Sequence, residues 1–139
     1  MEPSLTVLLP VHNAPHRLAE NITQLLEVLP DCTSRFDVLI IDDGSTDETG
    51  EVAQELAARF PQVHCVRHGV RLGLTEALQT GLDYSDGEIV LVGDERRGLN
   101  PDELTRLWRL RDDPHLVLAR ETDAGTGAAT GRGRWIETL

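Results

Sequence analysis

Residues 36–50 read Phe-Asp-Val-Leu-Ile-Ile-Asp-Asp-Gly-Ser-Thr-Asp-Glu-Thr-Gly. Phe36 to Ile41 is a short, largely apolar run, which suits a strand buried in a parallel sheet. It ends abruptly at Asp42, Asp43 and Gly44. Ser45 and Glu48 then stand three apart, the spacing of a capping box. They predict a helix that buries Val52, Ala53, Leu56, Ala57 and Phe60 and stops before Pro61. A strand, an acidic turn and a helix are thus written into fewer than thirty residues.

The same alternation runs in both directions. Leu5 to Val11 predicts a first buried strand ending in Pro10, Val11, His12 and Asn13. Leu18, Ile22, Leu25, Leu26 and Leu29 predict a helix stopped by Pro30. Val63 to Val66 reads as a third strand. Leu74, Ala77, Leu78 and Leu82 mark a third helix, after Gly73. Glu88 to Val92 is a fourth strand, ending at Gly93 and Asp94. Asn100, Pro101 and Glu103 read as the cap, first and third positions of a fourth helix, with Leu104, Leu107, Trp108 and Leu110 toward the core. His115 to Ala119 predicts a fifth strand. Glu121 to Arg134 holds four of the twelve glycines and no apolar period, the signature of a loop. The reading is one α/β domain over 1–120, followed by a Gly-rich loop or tail over 121–139. Its architecture is three-layer α/β/α around a mostly parallel sheet with right-handed crossovers.

At 139 residues, 40% hydrophobic and 27% charged, the chain has the composition of a single globular domain. Acids outnumber bases 24 to 13, for a net charge of -11. That balance disfavours nucleic acid and anionic membrane as partners. Every base is Arg, which excludes a Walker A lysine, a Schiff base and a receiver-domain lysine. Cys32 and Cys65 do not make a disulfide framework, and neither a leader nor a membrane span is legible, so the expected address is cytoplasmic.

Ligands of open parallel sheets bind beyond the carboxyl ends of the strands. Three polar groups fall there: His12 and Asn13, Asp42 and Asp43, and Asp94 and Glu95. Each also has a plainer reading, as turn and cap residues or as a solvated loop. Their convergence at three strand ends favours a site. No G-x-G-x-x-G follows the first strand, and neither a nucleophile elbow nor a zinc-spaced Cys/His set is present. Carboxylates so placed can accept hydrogen bonds from a base or ribose, or hold a hard cation on a diphosphate.

These residues resemble the family 2 glycosyltransferases, which have the GT-A nucleotide-sugar fold. The likeness runs through Val7-Leu8-Leu9-Pro10-Val11-His12-Asn13 and Ile41-Asp42-Asp43-Gly44-Ser45-Thr46-Asp47. It continues in Arg71-Leu72-Gly73 with Ala77 and Gly81, and in Gly87-Glu88-Ile89-Val90. The resemblance implies that Pro10, Val11, His12, Asn13, Asp42, Asp43, Arg71, Asp94 and Glu95 bind the nucleotide of a UDP- or GDP-linked sugar. His12 stands where the family commonly has Tyr, and Arg71 where it has Asn. The family's metal-binding D-x-D becomes Asp94-Glu95-Arg96. Asp94 keeps one ligand position, but a guanidinium at the other repels Mg or Mn and cannot coordinate it. Arg96 and Arg97 suit a diphosphate instead.

No catalytic residue is identifiable, and the family's acceptor half, which carries the general base, is not legible. The first expectation is therefore a catalytically degenerate domain that binds a nucleotide or nucleotide-diphospho-sugar. The alternatives are an active transferase using Arg in place of metal and completed by a partner, and a non-catalytic interaction domain. Apolar surface left by the missing half predicts a homo-oligomer.

Overall fold

Seven consecutive buried residues, Leu5 to Val11, form strand β1 (Leu5–Val11) in the interior of the sheet. The computed structural model describes residues 3–93, 101–109, 127–129 and 135–138. After β1 come α1 (Pro15–Cys32), β2 (Phe36–Asp43), α2 (Thr49–Arg59), β3 (Val63–His68), α3 (Leu74–Tyr84), β4 (Ile89–Val92), α4 (Pro101–Arg109), β5 (Gly127–Ala129) and β6 (Trp135–Thr138). The strand order is β3-β2-β1-β4-β6-β5, parallel throughout except for β5, which runs antiparallel to β6. The expected α/β architecture with a mostly parallel sheet is observed.

Strand alternation sorts the apolar residues into two layers. Leu5, Val7, Leu9 and Val11 of β1 join Val38 and Ile40 of β2 in one core, with Leu18, Ile22, Leu25 and Leu29 of α1, Ala53 of α2, and Leu104 and Trp108 of α4. Leu8, Leu39, Ile41, Val90 and Val92 face the other way and meet Ala77 of α3. Because β2 and β3 lie on one side of β1 and β4 on the other, the order reverses between β1 and β4. The loop after β1 leads to α1 in the first layer and the loop after β3 to α3 in the second, so these two loops part at the carboxyl end of the sheet.

Several expectations need correction. Pro30 does not stop α1; it sits in the last turn, and the helix closes at Cys32 with the Thr33 N–H on the Leu29 carbonyl. A proline this late loses only one ladder bond, so the helix tolerates it. The capping box at α2 is not made. Glu48 occupies the cap position without a side-chain bond, and the Asp47 carboxylate accepts the Thr49 N–H instead. Leu74 does not face the core: it is exposed, as are Val70, Leu72 and Tyr84. The loop expected over 121–139 carries β5 and β6, because Trp135-Ile136-Glu137-Thr138 has bulky and β-branched residues that suit a strand. The fifth strand expected at His115 to Ala119, and Asn100 and Leu110, lie outside the described residues.

β2 and β3 also run two residues beyond their predicted ends. Their register sets Asp42 opposite Arg67 and Asp43 opposite His68. Polar cross-strand pairing, invisible to an apolar-run criterion, explains the extension. Among the described residues no helix is long and apolar enough to cross a membrane.

Gly81 brings α3 close against the sheet: a Cβ there would lie 3.0 Å from both methyl carbons of Leu8 and 3.1 Å from Ile41 Cδ1. Gly81→Val is expected to wedge α3 away and cost about 1–3 kcal/mol. Urea unfolding monitored by tryptophan fluorescence checks this.

Candidate functional site

Asp43 closes the carboxyl end of β2 and faces the α3 layer. The residue is 6% exposed. One carboxylate oxygen accepts from His68 Nδ1 at 2.9 Å and from the Leu72 N–H at 2.8 Å; the other accepts from the Gly73 N–H at 2.9 Å. Burial alone would raise this carboxyl's pKa. The His68 bond, the two backbone N–H groups and the His68 charge outweigh it, and the pKa lies below the usual value. Three donors thus tie the β3–α3 loop to the end of β2.

The Asp43 backbone carbonyl holds a different loop. His12 Nδ1 donates to it at 2.8 Å, which assigns the proton of neutral His12 to that nitrogen and leaves Nε2 to accept from the Asn13 amide at 3.3 Å. Asn13 takes a left-handed backbone, φ 50°, tolerated by Asn. Its side-chain Oδ1 accepts the Thr46 N–H at 2.8 Å, and its backbone N–H goes to Ser45 Oγ at 3.0 Å. Thr49 Oγ1 takes the Ala14 N–H at 3.0 Å. Hydroxyls of the β2–α2 turn thereby satisfy the N–H groups entering α1, which has no side-chain cap of its own. Ser45 and Thr49 are buried for this purpose rather than forming a capping box.

Asp42 points the opposite way, into the α2 layer, and is fully buried. One oxygen accepts the Ser45 N–H at 3.1 Å; the other lies 3.4 Å from Arg67 Nε as an ion pair without an aligned hydrogen bond. Gly50 makes room for this pair, since a Cβ there would come within 2.9 Å of both the Asp42 carboxylate and the guanidinium carbon. Gly44 has an equally specific reason. At φ +68° its α-carbon faces the β3–α3 loop, and a Cβ would lie 2.3 Å from Arg71 N and Val70 C.

Between the two tethered loops lies a cleft of about 520 Å³, lined by His12, Asn13, Ala14, Pro15, His16, Arg17 and Arg71. Among the described residues its ionisable lining is two arginines and two histidines, on a chain of net charge -11. Of the residues singled out from sequence, His12, Asn13 and Arg71 meet here. Pro10 and Val11 are buried in β1, and Asp42 and Asp43 stand behind the cleft holding its walls. Asp94, Glu95, Arg96 and Arg97 lie outside the described residues. His16 and Arg17 were not singled out because they read as the first turn of an amphipathic helix. His68 was missed because it follows an apolar strand with no motif around it. Among the described residues no cluster of three or more His, Cys, Asp or Glu side chains could hold a metal ion.

Because the folded pKa of Asp43 is below its unfolded value, its stabilisation is fully present above the unfolded pKa of 3.8 and is lost as the pH falls through the folded value. Asp43→Asn is expected to cost about 1–3 kcal/mol at pH 7 and less in strong acid. Urea midpoints at pH 7 and below pH 3 test this; an equal loss at both would contradict it.

Comparison with known proteins agrees with this geometry. The family model for glycosyl transferase family 2 matches residues 6–134. The undecaprenyl-phosphate 4-deoxy-4-formamido-L-arabinose transferase of Edwardsiella ictaluri is 25% identical over 115 residues, 82% of this chain and 35% of that protein. The dolichyl-phosphate beta-glucosyltransferase ALG5A of Trichomonas vaginalis is 30% identical over 95 residues, 65% of this chain and 29% of that protein. Among solved structures, a mannosyltransferase from Pyrobaculum calidifontis in complex with GDP-Man and Mn2+ aligns with a TM-score of 0.67 at 25% identity, covering 82% of this chain and 34% of that one. The chain therefore spans about a third of the length of these relatives. With the match extending from β1 through Arg134 and the GT-A architecture shared, this chain belongs to glycosyl transferase family 2.

Proposed function

We propose that this chain is the nucleotide-diphospho-sugar-binding part of a family 2 glycosyltransferase, and that it binds its nucleotide without turning it over. The observation that carries the reading is the cleft beyond β1, walled by His12, Asn13 and Arg71, whose ionisable lining among the described residues is histidine and arginine. Anionic ligands are repelled by the chain as a whole, so the arginines among the described lining residues supply positive potential where a diphosphate would bind. The aligned mannosyltransferase is in complex with GDP-Man and Mn2+, which supports a nucleotide sugar as the ligand class.

Within this reading the residues divide their work. His12, fixed edge-on by the Asp43 carbonyl, offers its ring to a base. Arg71 reaches the nucleotide from the other wall, and its planar fork suits paired hydrogen bonds to phosphate oxygens. Asp42 and Asp43 act chiefly through the loops they hold. Arg96, standing where the family's second metal-ligating aspartate belongs, supports binding that does not need a divalent cation. It is also the reason for proposing that turnover is lost.

Titration calorimetry with uridine and guanosine diphosphates and their sugar conjugates, each with EDTA and with manganese, tests the proposal. Binding of one nucleotide, changed less than about threefold by metal, is expected, with Arg71→Gln weakening it about tenfold. A strict manganese requirement would refute the reading of Arg96. Product formed from a donor and an acceptor panel would refute the loss of turnover. Failure of every nucleotide to bind would refute the proposal itself.

A further inference from the structure

His68 lies at the end of β3, 9% exposed, and neither the family motifs nor the cleft lining includes it. Its two ring nitrogens are both engaged, and by different elements. Nδ1 lies 2.9 Å from Asp43 Oδ1 on β2, and Nε2 lies 2.8 Å from Thr80 Oγ1 on α3. An ionised carboxylate only accepts, so Nδ1 carries the proton and neutral His68 accepts from the Thr80 hydroxyl at Nε2. A charged ring would donate at both ends and the hydroxyl would turn to accept. The bridge is thus satisfied in either protonation state.

We propose that His68 is a positioning residue for the nucleotide cleft: it fixes the Asp43 carboxylate against α3, and through it the loop that presents Arg71. The inference rests on the nucleotide-binding reading above. The chain of contacts is short. Asp43 has torsional freedom about its side chain, and its two loop bonds, to the Leu72 and Gly73 N–H groups, follow directly after Arg71. With His68 removed, the carboxylate keeps those two bonds but loses its link to β3 and α3. The loop and carboxylate are then free to move together. Gly44 restrains the loop only by close approach, with no bond that could replace the one lost.

The test compares His68→Leu, which keeps bulk and removes both bonds, with His68→Asn, whose amide can still donate near the Nδ1 position. The first readout is hydrogen exchange at the Leu72 and Gly73 amides of the full chain. It is expected to quicken at least tenfold in His68→Leu while amides of β1 and the interior of β2 keep their rates, and to recover in His68→Asn. This readout needs no ligand, so failure of nucleotides to bind the wild type would overturn the functional reading and leave the role of His68 to be decided by exchange. The second is affinity for uridine and guanosine diphosphates in a double-mutant cycle with Arg71→Gln. His68→Leu is expected to weaken binding about tenfold in the wild type and less than twofold once Arg71 is gone. Additive losses, unchanged exchange at Leu72 and Gly73, or equal effects of Leu and Asn would each overturn the proposal. Should His68→Leu fail to fold, Thr80→Val removes only the hydroxyl anchor and is expected to quicken exchange at the same two amides; unchanged exchange there would overturn it.

Discussion

A single buried residue at the end of β2 joins the two sides of the cleft. Asp43 holds the β1–α1 loop with its backbone carbonyl and the β3–α3 loop with its side chain. Neither loop has enough apolar surface to fix itself; Val70, Leu72 and Leu74 are in fact exposed. Charge-assisted hydrogen bonds are strong where water is excluded, and here two backbone N–H groups and the His68 ring converge on one carboxylate. The shape of the cleft therefore follows from the position of one residue at the end of β2.

Adjacent aspartates divide two structural tasks because a strand alternates its faces. Asp42 turns into the α2 layer, meets Arg67 across the register and takes the Ser45 N–H, which shapes the turn before α2. Asp43 turns into the α3 layer and shapes the loop before α3. The pair resembles a ligand set in sequence, yet each carboxylate spends its hydrogen-bonding capacity largely on the backbone. Among the described residues, what the cleft itself offers a ligand comes from His12, Asn13, His16, Arg17 and Arg71. In a chain of net charge -11, that basic lining is the feature most suited to a diphosphate.

Much of this was legible in the sequence, and for definite reasons. Leu5 to Val11 and Phe36 to Ile41 read as buried strands because burial on both faces demands unbroken apolar runs. The ends of those strands placed His12, Asn13 and the two aspartates at one rim. Other features depend on contacts between segments far apart in the chain. The extension of β2 and β3 rests on cross-strand ion pairs, and the role of Ser45 as acceptor for Asn13 rests on a loop thirty-two residues earlier. The strand at Trp135–Thr138 was hidden by the glycines before it, which drew the reading toward a loop. His68 carries no local pattern, and its meaning comes wholly from partners on β2 and α3.

The proposed nucleotide site is bounded by the two loops that Asp43 tethers. Backbone chemical-shift mapping of the 15N-labelled chain with uridine or guanosine diphosphate locates the ligand directly. The expected result is a continuous set of shifts over residues 12–17 and 70–73, with the α1–α2 groove around Glu48 and Arg59 undisturbed. Shifts centred on that groove, with the loops on either side of Asp43 unchanged, would show that the walls described here enclose no nucleotide.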